Sequence, residues 1–191
     1  MRTRLSTEHR RAQLLTIGAD LFAKRPFQEV SIEEVAEIAH VSCGLLYHYF
    51  PSKRAFFLAI VEDQSGKLLD ASNPDPSLPP LEQLKAGLDI YISYAESHPD
   101  SFRVAQQAAV TDNDLGQIHR ARVSAQRDRI VTGLGTMMTV DEDTRIAVVG
   151  WLAFVTTAII EWLDNPAITR EQLRDLCART LWAAVDLTVA T

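Results

Sequence analysis

Residues 35–57 read VAEIAHVSCGLLYHYFPSKRAFF, and this stretch decides the fold. The apolar spacing of Val35, Ala36 and Ile38 marks the inner face of a short helix that ends at a tight turn by His40. A second short helix opens at Ser42, and Pro51-Ser52 separates it from a third. Two helices joined by a turn of three to four residues form a helix-turn-helix, an arrangement that can place its second helix in the DNA major groove. That second helix turns small and aromatic side chains outward where a merely solvated helix carries charge. The stretch points to DNA.

The pattern extends in both directions. Upstream, a helix over about Thr7 to Lys24 carries an apolar stripe of Leu14, Leu15, Gly18, Ala19 and Phe22, and Pro26 stops it. Ser31 and Glu34 form a capping box for the next helix. Downstream of Pro51-Ser52, Ala55, Phe56, Leu58, Ala59 and Ile60 lie on a helix running towards Leu69. Residues 73–80, NPDPSLPP, hold four prolines in eight positions and read as a loop. Helices are expected beyond it at about 80–97, 99–110, 114–137, 142–163 and 169–188. His98-Pro99 and Asn165-Pro166 are breaks, and Thr139 with Glu142 and Thr169 with Gln172 are further capping boxes. The expected fold class is all-α, about nine helices and no sheet, with an N-terminal helix-turn-helix domain over 1–52 and a C-terminal helical domain over 53–191.

Composition bounds the rest. The chain has 191 residues, 47% apolar and 23% charged, as in ordinary globular proteins. Its start, MRTRLSTEHRR, is basic without the apolar segment of a secretory signal. The run from Gly150 to Ile160 is shorter than the roughly 20 residues a membrane span needs. Two cysteines make no disulfide framework, so a reduced, cytoplasmic setting is expected. The net charge of −6 divides unevenly. Residues 1–55 hold eight basic and six acidic side chains, whereas the remaining 136 residues hold 11 basic and 19 acidic ones. Phosphate attraction is therefore local to the N-terminal part, and the acidic remainder disfavours other docking orientations.

The run Ala36-x-x-Ala39-x-Val41-Ser42-x-Gly44-x-Leu46-Tyr47-x-Tyr49-Phe50-x-x-Lys53, behind an amphipathic helix ending in Leu21-Phe22, resembles the TetR family of bacterial transcriptional regulators. The match covers about residues 10–60. The resemblance implies that Cys43, Gly44, Leu45, Tyr47 and His48 face bases, while Ser31, Ser42, Tyr49 and Lys53 hold phosphates and so fix register. Arg2 and Arg4 would form an arm on the backbone or in the minor groove. Two positions depart from the family pattern. His40 stands where glycine usually supplies a positive φ, which histidine tolerates at some strain. Pro26 stands where the first loop usually has glycine, and proline cannot adopt that conformation.

The C-terminal part is less explicit. The resemblance implies a cavity for a small, hydrophobic or aromatic effector, with Tyr91, Tyr94, Phe102, Trp151 and Phe154 as lining candidates and Arg103 and His119 as polar anchors. Ordinary core packing is the competing account of each. The last two helices are apolar over more than half a face, which marks an interface between copies. Leu152, Val155, Ile159, Trp162, Leu173, Leu181 and Val185 are the expected contacts. Cys43 at a helix N-terminus admits a redox role beside the simpler one of a small side chain near DNA. His119 with Asp112 and Asp114 could suggest a metal, but the pair of His119 and Asp114 on one helix has no third ligand at metal-ligand spacing, so no metal and no cofactor is expected.

The expected protein is thus a homodimeric regulator on a palindromic double-stranded operator, most simply a repressor released by a small-molecule effector. A regulator switched by a partner protein, or an activator, keeps the same DNA contacts without needing a cavity. A helical enzyme or carrier finds no nucleophile-base set and no phosphate-cradling glycine loop in the sequence.

Overall fold

The computed structural model describes residues 6–73 and 75–189, so the arm expected at Arg2 and Arg4 lies outside the described residues. Among the described residues there are nine helices and no strand: α1 (Thr7–Phe22), α2 (Ile32–Ile38), α3 (Cys43–Tyr49), α4 (Lys53–Ala71), α5 (Pro80–Ser97), α6 (Pro99–Thr111), α7 (Asn113–Leu134), α8 (Glu142–Asp164) and α9 (Arg170–Val189). The chain divides into two compact units, 1–66 and 67–191. The division falls inside α4, later than the expected 52/53 boundary, because Phe56 and Ile60 on α4 belong to the first unit's core.

Side-chain caps set the helix starts in the first unit. Ser6, Ser31 and Ser42 accept hydrogen bonds from the backbone N–H groups of His9, Glu34 and Leu45. Between α2 and α3 the chain closes a Schellman turn. Val41 N–H donates to Ala36 O at 2.9 Å, and His40 N–H donates to Glu37 O at 3.0 Å. His40 has φ 53°, the one non-glycine positive φ among the described residues. Leu14, Leu15, Val35, Leu46 and Phe56 are fully buried in this unit. Gly18 lets α1 lie against α4, since a Cβ there would overlap Ile60 Cδ1 and the Phe56 ring. The loop carrying Pro26 takes its own path: Phe27 stacks on Phe22 at 6.0 Å, and Phe57 meets both rings edge-on at 5.2 Å. An aromatic contact thus holds the segment where the family places a glycine turn.

In the second unit α8 packs on α9, α7 and α5. Its core includes Ile92, Val148, Val155, Ile159, Leu173, Leu181 and Val185, with Trp151 Nε1 donating to Cys177 O at 2.8 Å. Helix α8 is long and apolar enough to cross a membrane by length and composition alone. Its Thr144, Val148, Trp151, Val155 and Ile159 are instead buried in this helical core. Two local expectations shift. The N-cap of α8 is Asp141, whose Oδ1 accepts from both Thr144 N–H at 2.8 Å and Thr144 Oγ1 at 2.7 Å, while Val140 packs on the core before it. Thr139 does not cap. Helix α7 ends at Leu134, where Gly135 and Thr136 turn the chain.

The face expected to meet a second copy needs the same kind of correction. Val155, Ile159, Leu173, Leu181 and Val185 are at most 3% exposed, and Leu152 and Trp162 are half-buried against the same core. A helix with three packed neighbours hides its strongest apolar stripe inside its own unit, so Val155, Ile159, Leu173, Leu181 and Val185 are not available to another protomer, whereas Leu152 and Trp162 keep part of their surface exposed. What α8 leaves outside is a second stripe of Ile146, Val149, Gly150, Ala153 and Phe154, joined by Leu176 of α9 as an exposed apolar residue.

Candidate nucleic-acid interface and ligand cavity

Helix α3 separates its two faces cleanly. At 100° per residue, Gly44, Leu45, Tyr47 and His48 share one side, and Leu46 points the opposite way. The structure follows this division: those four residues are exposed, and Leu46 is 0% exposed in the core. Tyr47 and Leu45 are large apolar groups held in solvent at 44% and 37% exposure, which a solvated helix alone does not call for. Gly44 faces open space, with only Ser42 Oγ at 4.0 Å from where a Cβ would stand. Cys43 is half-buried against the core at the edge of this face, so it is the least available of the five base-facing candidates.

The phosphate candidates divide. Ser31 and Ser42 are exposed and use their oxygens as acceptors for their own helix caps, leaving each hydroxyl hydrogen to donate outward. Tyr49 is half-buried, with its ring edge-on to His48 at 5.8 Å. Lys53 is engaged inside the unit: its Nζ donates to Gln28 O at 3.3 Å and sits 4.5 Å from the centroid of the Phe27 ring. Arg11 escapes sequence reasoning. It is an exposed residue of α1 whose guanidinium lies 5.4 Å from the Phe50 ring just after α3. Only the shared core that joins Leu14 and Leu15 of α1 to Phe50, which no local motif encodes, brings it there.

The second unit contains a cavity of about 820 Å³, within the range of pockets that take drug-sized ligands. Its wall draws on the end of α4 (Leu68, Leu69), on α5 (Leu84, Leu88, Tyr91), on α7 (His119, Arg122, Gln126, Ile130), on α8 (Trp151, Leu152, Thr156, Ile160) and on Trp182 of α9. The lining is mostly apolar, with a few polar groups set into it. Tyr91 Oη lies 3.4 Å from Thr156 Oγ1. Burial, reinforced by the charges of Arg122 and Arg120, lowers the pKa of His119 and so favours its neutral imidazole.

Residues 14–60 match the family model of bacterial regulatory proteins of the tetR family, and residues 80–184 match the tetracyclin repressor-like C-terminal domain. The chain belongs to the TetR family of bacterial DNA-binding transcriptional regulators. Among relatives of this TetR-family chain is the regulator EthR of Mycolicibacterium smegmatis, 31% identical over 109 residues that make up 55% of this chain and 50% of EthR. The chain thus spans about half the length of that relative. The transcriptional activator FasR of the same species is 22% identical over 85% of this chain and 76% of FasR. A tetR-family regulator from Streptomyces coelicolor superposes with a TM-score of 0.81 at 26% identity, covering 97% of this chain and 84% of that one.

Of the seven residues expected to line an effector site, Tyr91, His119 and Trp151 lie in the wall of this cavity. The other four are placed elsewhere. Phe102 is buried, with its ring edge-on to Tyr91 at 5.6 Å. Tyr94 stacks on His98 at 5.0 Å, and burial raises its hydroxyl pKa. Arg103 Nε donates to Asp164 at 3.0 Å, tying α6 to the end of α8. Phe154 lies on the outer stripe of α8, 37% exposed. Arg122, Gln126 and Trp182 join the wall with no local signal to announce them. Asp112 is the α7 cap, accepting from the N–H groups of Asp114 and Leu115 at 3.0 and 3.2 Å. The described residues hold no group of three or more metal-ligating side chains.

Proposed function

We propose that this regulator is a homodimeric repressor that binds a palindromic operator through α3 and leaves it when a small molecule fills the cavity of the second unit. The observation that carries the DNA reading is the exposed face of α3, where Tyr47 and Leu45 stand in solvent while Leu46 anchors the same helix. Gly44, Leu45, Tyr47 and His48 would meet base edges, with Cys43 at the rim. Ser31, Ser42, Tyr49 and Arg11 would hold phosphates, and Lys53 would join them only by leaving Phe27. The outer stripe of α8, with Gly150 as a small residue that permits close approach between Ile146 and Phe154, would meet its twin across a two-fold axis. Two copies of α3 would then address half-sites ~34–36 Å apart.

Helix α4 is the route by which a ligand would act. Its early residues Phe56 and Ile60 are core to the first unit, and its late residues Leu68 and Leu69 line the cavity. A ligand releases DNA only if it binds the DNA-incompetent arrangement more tightly. Footprinting on DNA flanking the chain's own gene tests the reading. Wild-type protein should protect a symmetric site, and Tyr47→Ala should lose protection while keeping its thermal melt. Equal protection by the variant overturns the assignment of α3.

A further inference from the structure

The cavity carries a charge pattern that an apolar pocket does not require. Its wall includes Arg122, Arg129 and His119 and no aspartate or glutamate, although acidic residues outnumber basic ones 19 to 11 over residues 56–191. Arg129 is committed: its guanidinium donates to Leu69 O and reaches Asp70 Oδ1 at 3.0 Å. Arg103, Arg127, Arg145, Arg170 and Arg174 likewise each hold a carboxylate within 4.0 Å. Arg122 differs. Among the described residues no carboxylate pairs with it, and its guanidinium lies 5.5 Å from the centroid of the Tyr91 ring. A half-buried guanidinium among aromatic and apolar groups has lost much of its hydration without gaining a counter-ion, and a carboxylate is the partner its planar fork fits best. His119, one turn away on α7, favours its neutral imidazole, which is able to donate or accept beside it.

We propose that the ligand of this cavity is an amphipathic carboxylic acid, its carboxylate on Arg122 beside His119 and its apolar body along Leu88, Trp151, Ile160 and Trp182. This rests on reading the cavity as the effector site. The size of the cavity and its two tryptophans favour a bulky ring system or a long chain over a small polar metabolite.

Trp151 and Trp182 supply the readout, because a ligand seated against them changes their fluorescence. Two pairs of probes, dodecanoate with its methyl ester and 1-naphthylacetate with its methyl ester, are titrated below any micellar concentration. At least one acid should bind at least tenfold more tightly than its ester. Arg122→Gln should bring the acid down to the ester's affinity and leave the ester unchanged, and Arg122→Lys should keep part of the preference. Equal binding of acid and ester, no binding of either acid, or an acid preference that survives Arg122→Gln in a protein with an unchanged melt each overturns the proposal. Operator binding measured alongside separates this from the functional reading. Arg122-dependent acid binding that leaves the footprint intact supports the ligand class and removes its role as effector. Release of DNA by neutral compounds alone keeps the effector site and overturns the acid.

Discussion

The two units place their specific chemistry on opposite sides of their surfaces. In residues 1–66 the distinguishing groups project outward from a seven-residue helix, and the interior is filled to the point that Gly18 has no room for a Cβ. In residues 67–191 they face inward, round a space left unfilled by side chains from α4 to α9. An outward face on a short helix needs only neighbouring residues in the right order. An inward cavity needs side chains far apart in the chain to stop short of one another. The first is a local property and the second is not.

Substitutions break or sharpen this contrast. The largest effect is expected within α3 itself. Leu46→Ala should lower unfolding stability by about 2–5 kcal/mol through a core cavity, while its neighbour Tyr47→Ala should change it by less than about 0.5 kcal/mol as a surface position; paired urea melts check this. Glycine to alanine should then change sign between the units. Gly18→Ala should destabilise by about 1–3 kcal/mol, since Phe56 and Ile60 must move. Gly133→Ala on α7, which lines the cavity and has nothing within 4 Å of an added methyl, should stabilise by roughly 0.5–1 kcal/mol from helix propensity.

The cysteines give a smaller difference. Burial pushes the Cys177 thiol up to about 11 from 9.0. A raised pKa means the neutral thiol is favoured in the fold, so its contribution to stability is complete below about pH 9 and declines as pH rises towards about 11. Cys43, half-buried and outside that core, should react with iodoacetamide at about pH 8 well before Cys177, as peptide mapping of the alkylated protein would record. The smallest effect is expected at His40. Glycine there should relieve the positive φ but add unfolded-state freedom, for a net change within about 1 kcal/mol by thermal melt, with operator affinity unaltered.

The same contrast decides what is legible in the sequence. Capping serines, the turn at His40 and the apolar spacing of α1 to α4 are short-range signals, and each marks its element with the right bounds or nearly so. The family resemblance implies the outward residues of α3, and helical phase about the buried Leu46 agrees for Gly44, Leu45, Tyr47 and His48. Leu152, Val155 and Ile159 resemble an interface because a strong apolar stripe shows that something covers it without saying what, and here α9, α7 and α5 do. Arg103 and Arg122 look alike in sequence. Asp164, 61 positions away from Arg103, makes one of them a structural tie, whereas among the described residues no carboxylate pairs with the other, which lines the cavity.

A space of about 820 Å³ inside a helical unit is also missing packing. Whatever occupies it replaces van der Waals contacts that the chain's own side chains do not make, and mass action then raises the melting temperature with guest concentration. If a cellular guest fills the cavity, heat tolerance of the freshly isolated protein would therefore record that occupant. Exhaustive dialysis should erase that record, and the compound washed out would be the molecule the cell supplies.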